Sequence, residues 1–326
     1  MRQVVCRSFG PVDDLRVEEA PDPTPGPGQV LVEVRASAVS FVDGLLVRGL
    51  YQIKPPLPYV PGMAVAGVVR ERGEGVDAPA VGTRVVCGSP RPGGYVSHAL
   101  VPAAACAPLP DAVGFETAAS MIESYATALF ALTRRTTVAK DEWVVVLGAA
   151  GGVGLATVDV ARGLGARVIA AASGPAKLDA ARAAGADATV NYADEDLKSR
   201  IREITGGGAD IVVDPIGGPY AAPALRALAP HGRYLVIGFA AGDIPQLPAN
   251  QILLTNRTVI GVDWGDHARR NPGELPAMLT EIIRGTAEGR LNPVTPTAYP
   301  LDQAPEALTA LAERRVVGKL VLVPDA

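Results

Sequence analysis

The sequence predicts an α/β chain in which a doubly wound parallel sheet is inserted into a second, mostly β domain that the chain leaves and later rejoins. Three observations carry this. The 326 residues exceed the roughly 100 to 200 typical of one domain. Fifteen of the 29 prolines fall before residue 126, seven within 126–265 and seven after it, so the middle is built differently from its flanks. From Trp143 onward, short apolar runs alternate with helical periodicity, as in a parallel sheet covered on both faces.

In order along the chain, residues 1–122 read as strands punctuated by turns: VLVEVRASAV (30–39), VAGVV (65–69), TRVVCG (83–88) and GYVSHALV (94–101). PDPTPGPG (21–28) lies between strand-like runs and reads as a rigid extended connection within the domain. Residues 123–265 hold six predicted strands: WVVVL (143–147), RVIAAA (167–172), ATVNY (188–192), DIVVDP (210–215), GRYLVIG (232–238) and TVIGVDW (258–264). In VGLATVDVARGLGA, Val153, Ala156, Val160, Ala161 and Leu164 recur at helical spacing; KLDAARAAGA and DEDLKSRIREITGGG are further helices with glycine stops. Residues 266–326 give a helix near 273–284, more strand, a helix at 303–314, and GKLVLVP (318–324), which has no neighbouring partner. It is expected to pair with the N-terminal strands, so that 266–326 completes the domain begun by 1–122.

Composition narrows the function. With 48% apolar and 20% charged residues the chain is not disordered, and its net charge of -4 offers no basic surface for nucleic acid or anionic lipid. No apolar run approaches the roughly 18 residues of a membrane span, and MRQVVCRSFG lacks the apolar stretch of a signal peptide. The expectation is a cytoplasmic protein. Cys6, Cys87 and Cys106 are odd in number and scattered, which predicts reduced thiols; His98, His231 and His267 sit at no ligand spacing, so no metal is expected.

The strongest motif is WVVVLGAAGGVGLATVDVA (143–161), a strand running into glycines that open a helix, as a dinucleotide site requires. Gly151 and Gly152 admit a pyrophosphate and Gly154 lets the helix pack on the strand; Ala150, Gly151, Gly152 and Val153 are the predicted cofactor contacts at the helix N-terminus. Ala149 stands where GxGxxG has its first glycine. An NAD site wants a carboxylate about 20 residues further on. Here the second strand ends at Ser173 without one, and Lys177 follows. A hydroxyl and an ammonium attract a 2'-phosphate that a carboxylate repels, so NADPH is predicted. Taken singly, Ser173 also reads as a helix N-cap and Lys177 as a solvated charge.

These residues resemble the zinc-independent quinone oxidoreductases of the medium-chain dehydrogenase/reductase superfamily. The resemblance runs through ASAVSFVDGLLVRGLY (36–51), PGMAVAGVV (61–69), VGTRVV (81–86), AAGGVG (149–154), NYADED (191–196) and GKLVL (318–322). It implies a GroES-like catalytic domain around a Rossmann domain, and Tyr192 beside Ser173 and Lys177 at the 2'-phosphate. In zinc-dependent relatives a Cys and a GHE motif supply metal ligands; the matching positions are Ser40, Met63 and Ala64. The resemblance also implies that the 40–51 segment lines the substrate site. Relatives commonly have Asn at position 40, and some have Tyr at 45 where this chain has Leu45. Tyr51 is the best candidate donor to substrate, with packing the competing role; Ser40 reads equally as a donor or a turn former. Asp43 is expected to orient its loop, and Thr127 to contact the nicotinamide.

Fold geometry adds Ile216 and Gly217 after the fourth strand and Gly238 and Phe239 after the fifth, where parallel strands present their carboxyl ends to ligand. By resemblance Lys319 reaches the cofactor, and the edge strand at 258–264 pairs across a two-fold axis in a homodimer. The function expected is metal-free hydride delivery from NADPH to a small molecule with a conjugated carbonyl, a quinone or an enone. Enoyl-thioester or alkenal reduction on the same fold, and non-catalytic NADPH binding, are the competing readings.

Overall fold

The computed structural model describes residues 1–88 and 91–324. The chain divides into two compact units: Met1–Glu123, His267–Gly289 and Val294–Ala326 form the first, and Ser124–Asp266 with Arg290–Pro293 the second.

In the second unit a six-stranded sheet is parallel throughout. Its strands are Trp143–Leu147, Arg167–Ala172, Ala188–Asn191, Ala209–Asp214, Leu228–Val236 and Thr258–Gly261. Counted in that order they lie 3-2-1-4-5-6 across the sheet, the doubly wound Rossmann arrangement. Val144, Val145, Val146 and Leu147 are completely buried, as expected where helices cover both faces. The switch point between the first and fourth strands lies beside the glycine turn.

The first unit is mostly β. Its main sheet runs Thr297–Pro300, Leu320–Val323, Gln29–Val39, Ala64–Arg72, Arg84–Gly88, Cys106–Pro108, with His98–Pro102 also pairing Gln29–Val39. The C-terminal strand returns as its sequence foretold: Leu320, Val321 and Leu322 pair antiparallel with Val39, Ala38 and Ser37. Leu320 and Leu322 enter a core with Val39, Val47, Tyr95, Leu301 and Leu308.

Two readings need correction. The sixth strand was expected over 258–264 but ends at Gly261, and Trp264 opens the helix Trp264–Arg270. The apolar run misleads because Asp263 caps the new helix, its carboxylate accepting the Asp266 N–H at 2.8 Å. Residues 41–47, read as loop, form a short helix. Ser40 caps it: its Oγ accepts the Asp43 N–H at 3.2 Å while Asp43 accepts the Ser40 N–H at 2.9 Å, a reciprocal capping box.

Candidate functional site

The first strand of the parallel sheet turns through Gly148, Ala149 and Ala150 into the helix Gly152–Gly163. Gly148 has φ +58, and a Cβ there would lie 2.4 Å from Ile216 Cδ1, so Ile216 from the fourth strand lies directly on the glycine turn. Gly154 is required by the fold: its Cβ would meet the Gly148 carbonyl oxygen at 2.3 Å and Ala149 Cα at 2.7 Å. Gly151 is not. At φ -80 its nearest neighbour would be the Gly148 oxygen at 3.5 Å, ordinary contact that any residue accepts. No side chain caps this helix, and Gly151 is exposed while Gly152 and Val153 are half-buried. The result is an open positive helix end lined by backbone, with space where a Cβ would stand, which fits a pyrophosphate.

At the carboxyl end of the second strand, Ser173 precedes Gly174, whose φ of +89 makes the turn into the helix Pro175–Ala183. Gly174 is the N-cap, without a side-chain cap bond, so Ser173 does not cap this helix. Its Oγ instead lies 3.4 Å from Lys177 Nζ, which donates to it; both residues are half-buried. The pair stands four residues apart, one helical turn, with no carboxylate between. Asn191 braces the turn from the third strand, its Oδ1 accepting the N–H groups of Gly174 at 3.1 Å and Ala193 at 3.2 Å. Tyr192 follows, its ring 4.2 Å between centroids from that of Tyr220.

After the fourth strand, Asp214 Oδ1 accepts the N–H groups of Ile216 and Gly217, both at 2.8 Å, and Tyr234 hydroxyl donates to Oδ2. Asp214 is 1% exposed, and that burial raises its pKa. Gly217 has φ +65, and the chain returns beside it at Phe239, whose ring edge would lie 3.1 Å from a Cβ at 217. Gly238 donates to the Asp214 carbonyl at 3.3 Å. The structure thus gathers Gly148–Gly154, Ile216, Gly217, Gly238 and Phe239 about one end of the sheet, with Ser173 and Tyr192 directly after its second and third strands and Lys177 in the helix that follows Ser173. Thr127 lies half-buried near the end of the helix Phe115–Leu129.

Sequence reasoning did not single out Asn191, Asp214 or Tyr220. DPIGG carried a signal, because an Asp followed by a tight turn often bonds the backbone two residues on.

In the first unit, Ser40 is 7% exposed and Tyr51 half-buried. Lys319 Nζ donates to the Val39 carbonyl at 3.4 Å, one residue before Ser40. Asp43 is completely buried; besides the Ser40 N–H it accepts the Tyr95 hydroxyl at 3.0 Å and the Gly62 N–H at 3.3 Å. Met63 and Ala64 follow Gly62 directly. Among the described residues no group of three or more His, Cys, Asp or Glu is placed to hold a metal, and no helix is long and apolar enough to cross a membrane.

Residues 26–111 match the family described as "Alcohol dehydrogenase GroES-like domain", and residues 152–284 that described as "Zinc-binding dehydrogenase". "Quinone oxidoreductase-like protein 2" of Bos taurus is 36% identical over 310 residues, covering 94% of this chain and 88% of that protein. The chain belongs to the quinone oxidoreductase family of medium-chain dehydrogenase/reductases. Among solved structures of this kind, Escherichia coli quinone oxidoreductase complexed with NADPH superposes with a TM-score of 0.92 at 29% identity, covering 99% of this chain and all of that one, 100%. A mycobacterial protein, also complexed with NADPH, gives 0.91 at 31% identity over 99% of this chain and 100% of its own. This member of the quinone oxidoreductase family has Ser40, Met63 and Ala64 in its first unit, and no carboxylate between Ser173 and Lys177.

Proposed function

We propose that this oxidoreductase uses NADPH to reduce a conjugated carbonyl, a quinone or an enone, without a metal. The observation that carries the reading is the Ser173–Lys177 pair, 3.4 Å apart at the end of the second strand where an NAD site has its acid. NADPH-complexed relatives support the same choice.

The open helix end at Gly151–Val153 holds the pyrophosphate through backbone N–H groups, and Lys177, Ser173 and Tyr192 take the 2'-phosphate. Ile216, Gly217, Gly238, Phe239 and Thr127 orient the nicotinamide; Asp214 fixes the turn that presents the first two. When bound, NADPH supplies a hydride, the difficult part of the chemistry. The chain supplies hydrogen-bond donors for the oxygen that gains charge. Tyr51 is the proposed donor. Ser40 Oγ accepts from the Asp43 N–H, which leaves its own proton available as a second donor. Met63 and Ala64 cannot serve as borderline zinc ligands, which supports the metal-free reading.

We also propose a homodimer through the edge strand Thr258–Gly261. A strand at the rim of a sheet presents unpaired N–H and C=O groups, and a two-fold axis lets the same strand pair with itself. Val259 is 36% exposed, and Leu253 and Leu254, a few residues before it in the chain, are 76% and 73% exposed. Such apolar exposure fits burial against a second copy.

The test is loss of NADPH absorbance with purified enzyme against quinones, enones, alkenals and enoyl thioesters, before and after chelator. Turnover of quinones or enones that survives chelation is expected. Turnover of thioesters alone would move the substrate class, and tight NADPH binding without turnover would mark a non-catalytic protein.

A further inference from the structure

Outside the cofactor site, two thiols meet across a strand pair. Cys87 on Arg84–Gly88 stands directly opposite Cys106 on Cys106–Pro108 in antiparallel register, with Val86 opposite Ala107 and Val85 opposite Pro108. Their sulfurs are 3.1 Å apart, the Cys87 S–H donating to Cys106 Sγ. Residues directly opposite in an antiparallel pair have Cα atoms about 4.5 to 5.5 Å apart, within the range a disulfide spans. Closing the bond needs the sulfurs to approach by about 1 Å, a movement that side-chain rotation supplies.

We propose that Cys87 and Cys106 form an oxidation site, a reversible disulfide closed by a peroxide. Exposure assigns the roles. Cys106 is partly exposed and meets the oxidant; Cys87 is 1% exposed and resolves. The hydrogen bond to Cys106 and then burial push the Cys87 thiol well above its ordinary pKa, so Cys87 stays protonated until its partner has been oxidised. In the first step Cys106 thiolate attacks one oxygen of hydrogen peroxide. An S–O bond forms, the O–O bond breaks, the sulfur loses two electrons, and the departing hydroxide takes a proton to leave as water. In the second, Cys87 gives up its proton and attacks Cys106 sulfur; the S–S bond forms, the S–O bond breaks and a second water leaves. Two thiols and one peroxide thus give one disulfide and two waters.

The consequence is a covalent loop that includes Tyr95, the residue whose hydroxyl donates to Asp43. Cys6 takes no part: it is buried, and its thiol donates to the Ser8 carbonyl at 3.3 Å. This inference does not rest on the proposed function. The test treats the native, full-length protein with one equivalent of hydrogen peroxide, blocks remaining thiols, digests without reductant and maps peptides by mass. The expected result is an intramolecular peptide linked through Cys87 and Cys106, Cys6 still alkylated, and complete reversal by dithiothreitol. Cys87→Ser should leave Cys106 as a sulfenic or higher acid with no crosslink. Wild-type protein that stops at a Cys106 oxyacid, links Cys6, or crosslinks only in denaturant would overturn the proposal.

Discussion

Asp43 accepts a hydrogen bond from the Tyr95 hydroxyl at 3.0 Å, and both residues are completely buried. The same carboxylate takes the N–H groups of Ser40 and Gly62, so one side chain ties the start of the helix at Phe41–Val47 to the turn before Met63. In this way the fold fixes the position of Ser40. Burial, then the charge of Glu123, pushes Asp43 up to about 6, against hydrogen bonds from Ser40 and Tyr95 that pull it down.

That shift has a defined pH signature. An acid whose pKa is raised on folding binds its proton more tightly in the native state, so stability is greatest below the unfolded value and falls as pH rises through the folded one. From pH 4 to 6 this group should remove up to roughly 3 kcal/mol of stability. Asp43→Asn, neutral throughout, should lose that dependence. Urea midpoints of both proteins at several pH values check it: the variant's deficit should be larger at pH 4.5 than at pH 7, and equal deficits would remove Asp43 as the cause.

Lys177→Ala tests the cofactor choice. One charge-assisted contact to a phosphate contributes about 1.5 to 3 kcal/mol, or roughly 10- to 100-fold in affinity. NADPH should weaken by that factor in calorimetric titration while NADH changes little, because only NADPH carries the extra phosphate. Equal weakening of both would place Lys177 elsewhere.

Two glycines three residues apart should fail differently. Gly154→Ala drives its Cβ into the Gly148 oxygen, 2.3 Å away, and what it meets is backbone rather than the end of a flexible side chain. A loss of about 3 kcal/mol or more, read from thermal unfolding, is expected. Gly151→Ala meets only a 3.5 Å contact. Its unfolding should stay within about 1 kcal/mol of wild type, yet NADPH affinity should drop at least roughly tenfold as the methyl stands where the pyrophosphate approaches. A Gly151→Ala protein that binds normally would refute that placement.

The contrast between these residues explains what the sequence could disclose. Gly151 and Gly154, and likewise Ser173 and Lys177, lie within one turn or one helical repeat of each other, so their spacing is legible in the sequence. Asp43 and Tyr95 lie 52 residues apart, and only the strand pairing of the first unit brings them together. The helix at Phe41–Val47 escaped notice because it is seven residues long, less than a readable period of apolar residues. Asp214 stands inside DIVVDP (210–215), yet its work is to accept two N–H groups after its strand, a turn geometry that hydrophobic patterning does not record. Trp264 was drawn into the sixth strand by the apolar run before it, although the Asp263 cap ends that strand's extension.

The edge strand supplies the last prediction. Thr258–Gly261 pairs with Leu228–Val236 on one side only, at the rim of the sheet. Arg135 Nε donates to the Gly261 carbonyl at 2.9 Å, which covers one end of the strand and leaves Thr258 to Ile260 as the segment for self-pairing. In a two-fold pairing, Val259 of one copy lies close to the same residue of the other. Val259→Asp would then set two carboxylates near each other in a region that excludes water, a repulsion that costs more than the exposed strand loses by the exchange. Sedimentation should find wild type at twice 33.5 kDa and the variant at 33.5 kDa, with the folded far-ultraviolet spectrum retained. Wild type that sediments as a monomer, or a variant that stays dimeric, would mean that this strand is not the subunit contact.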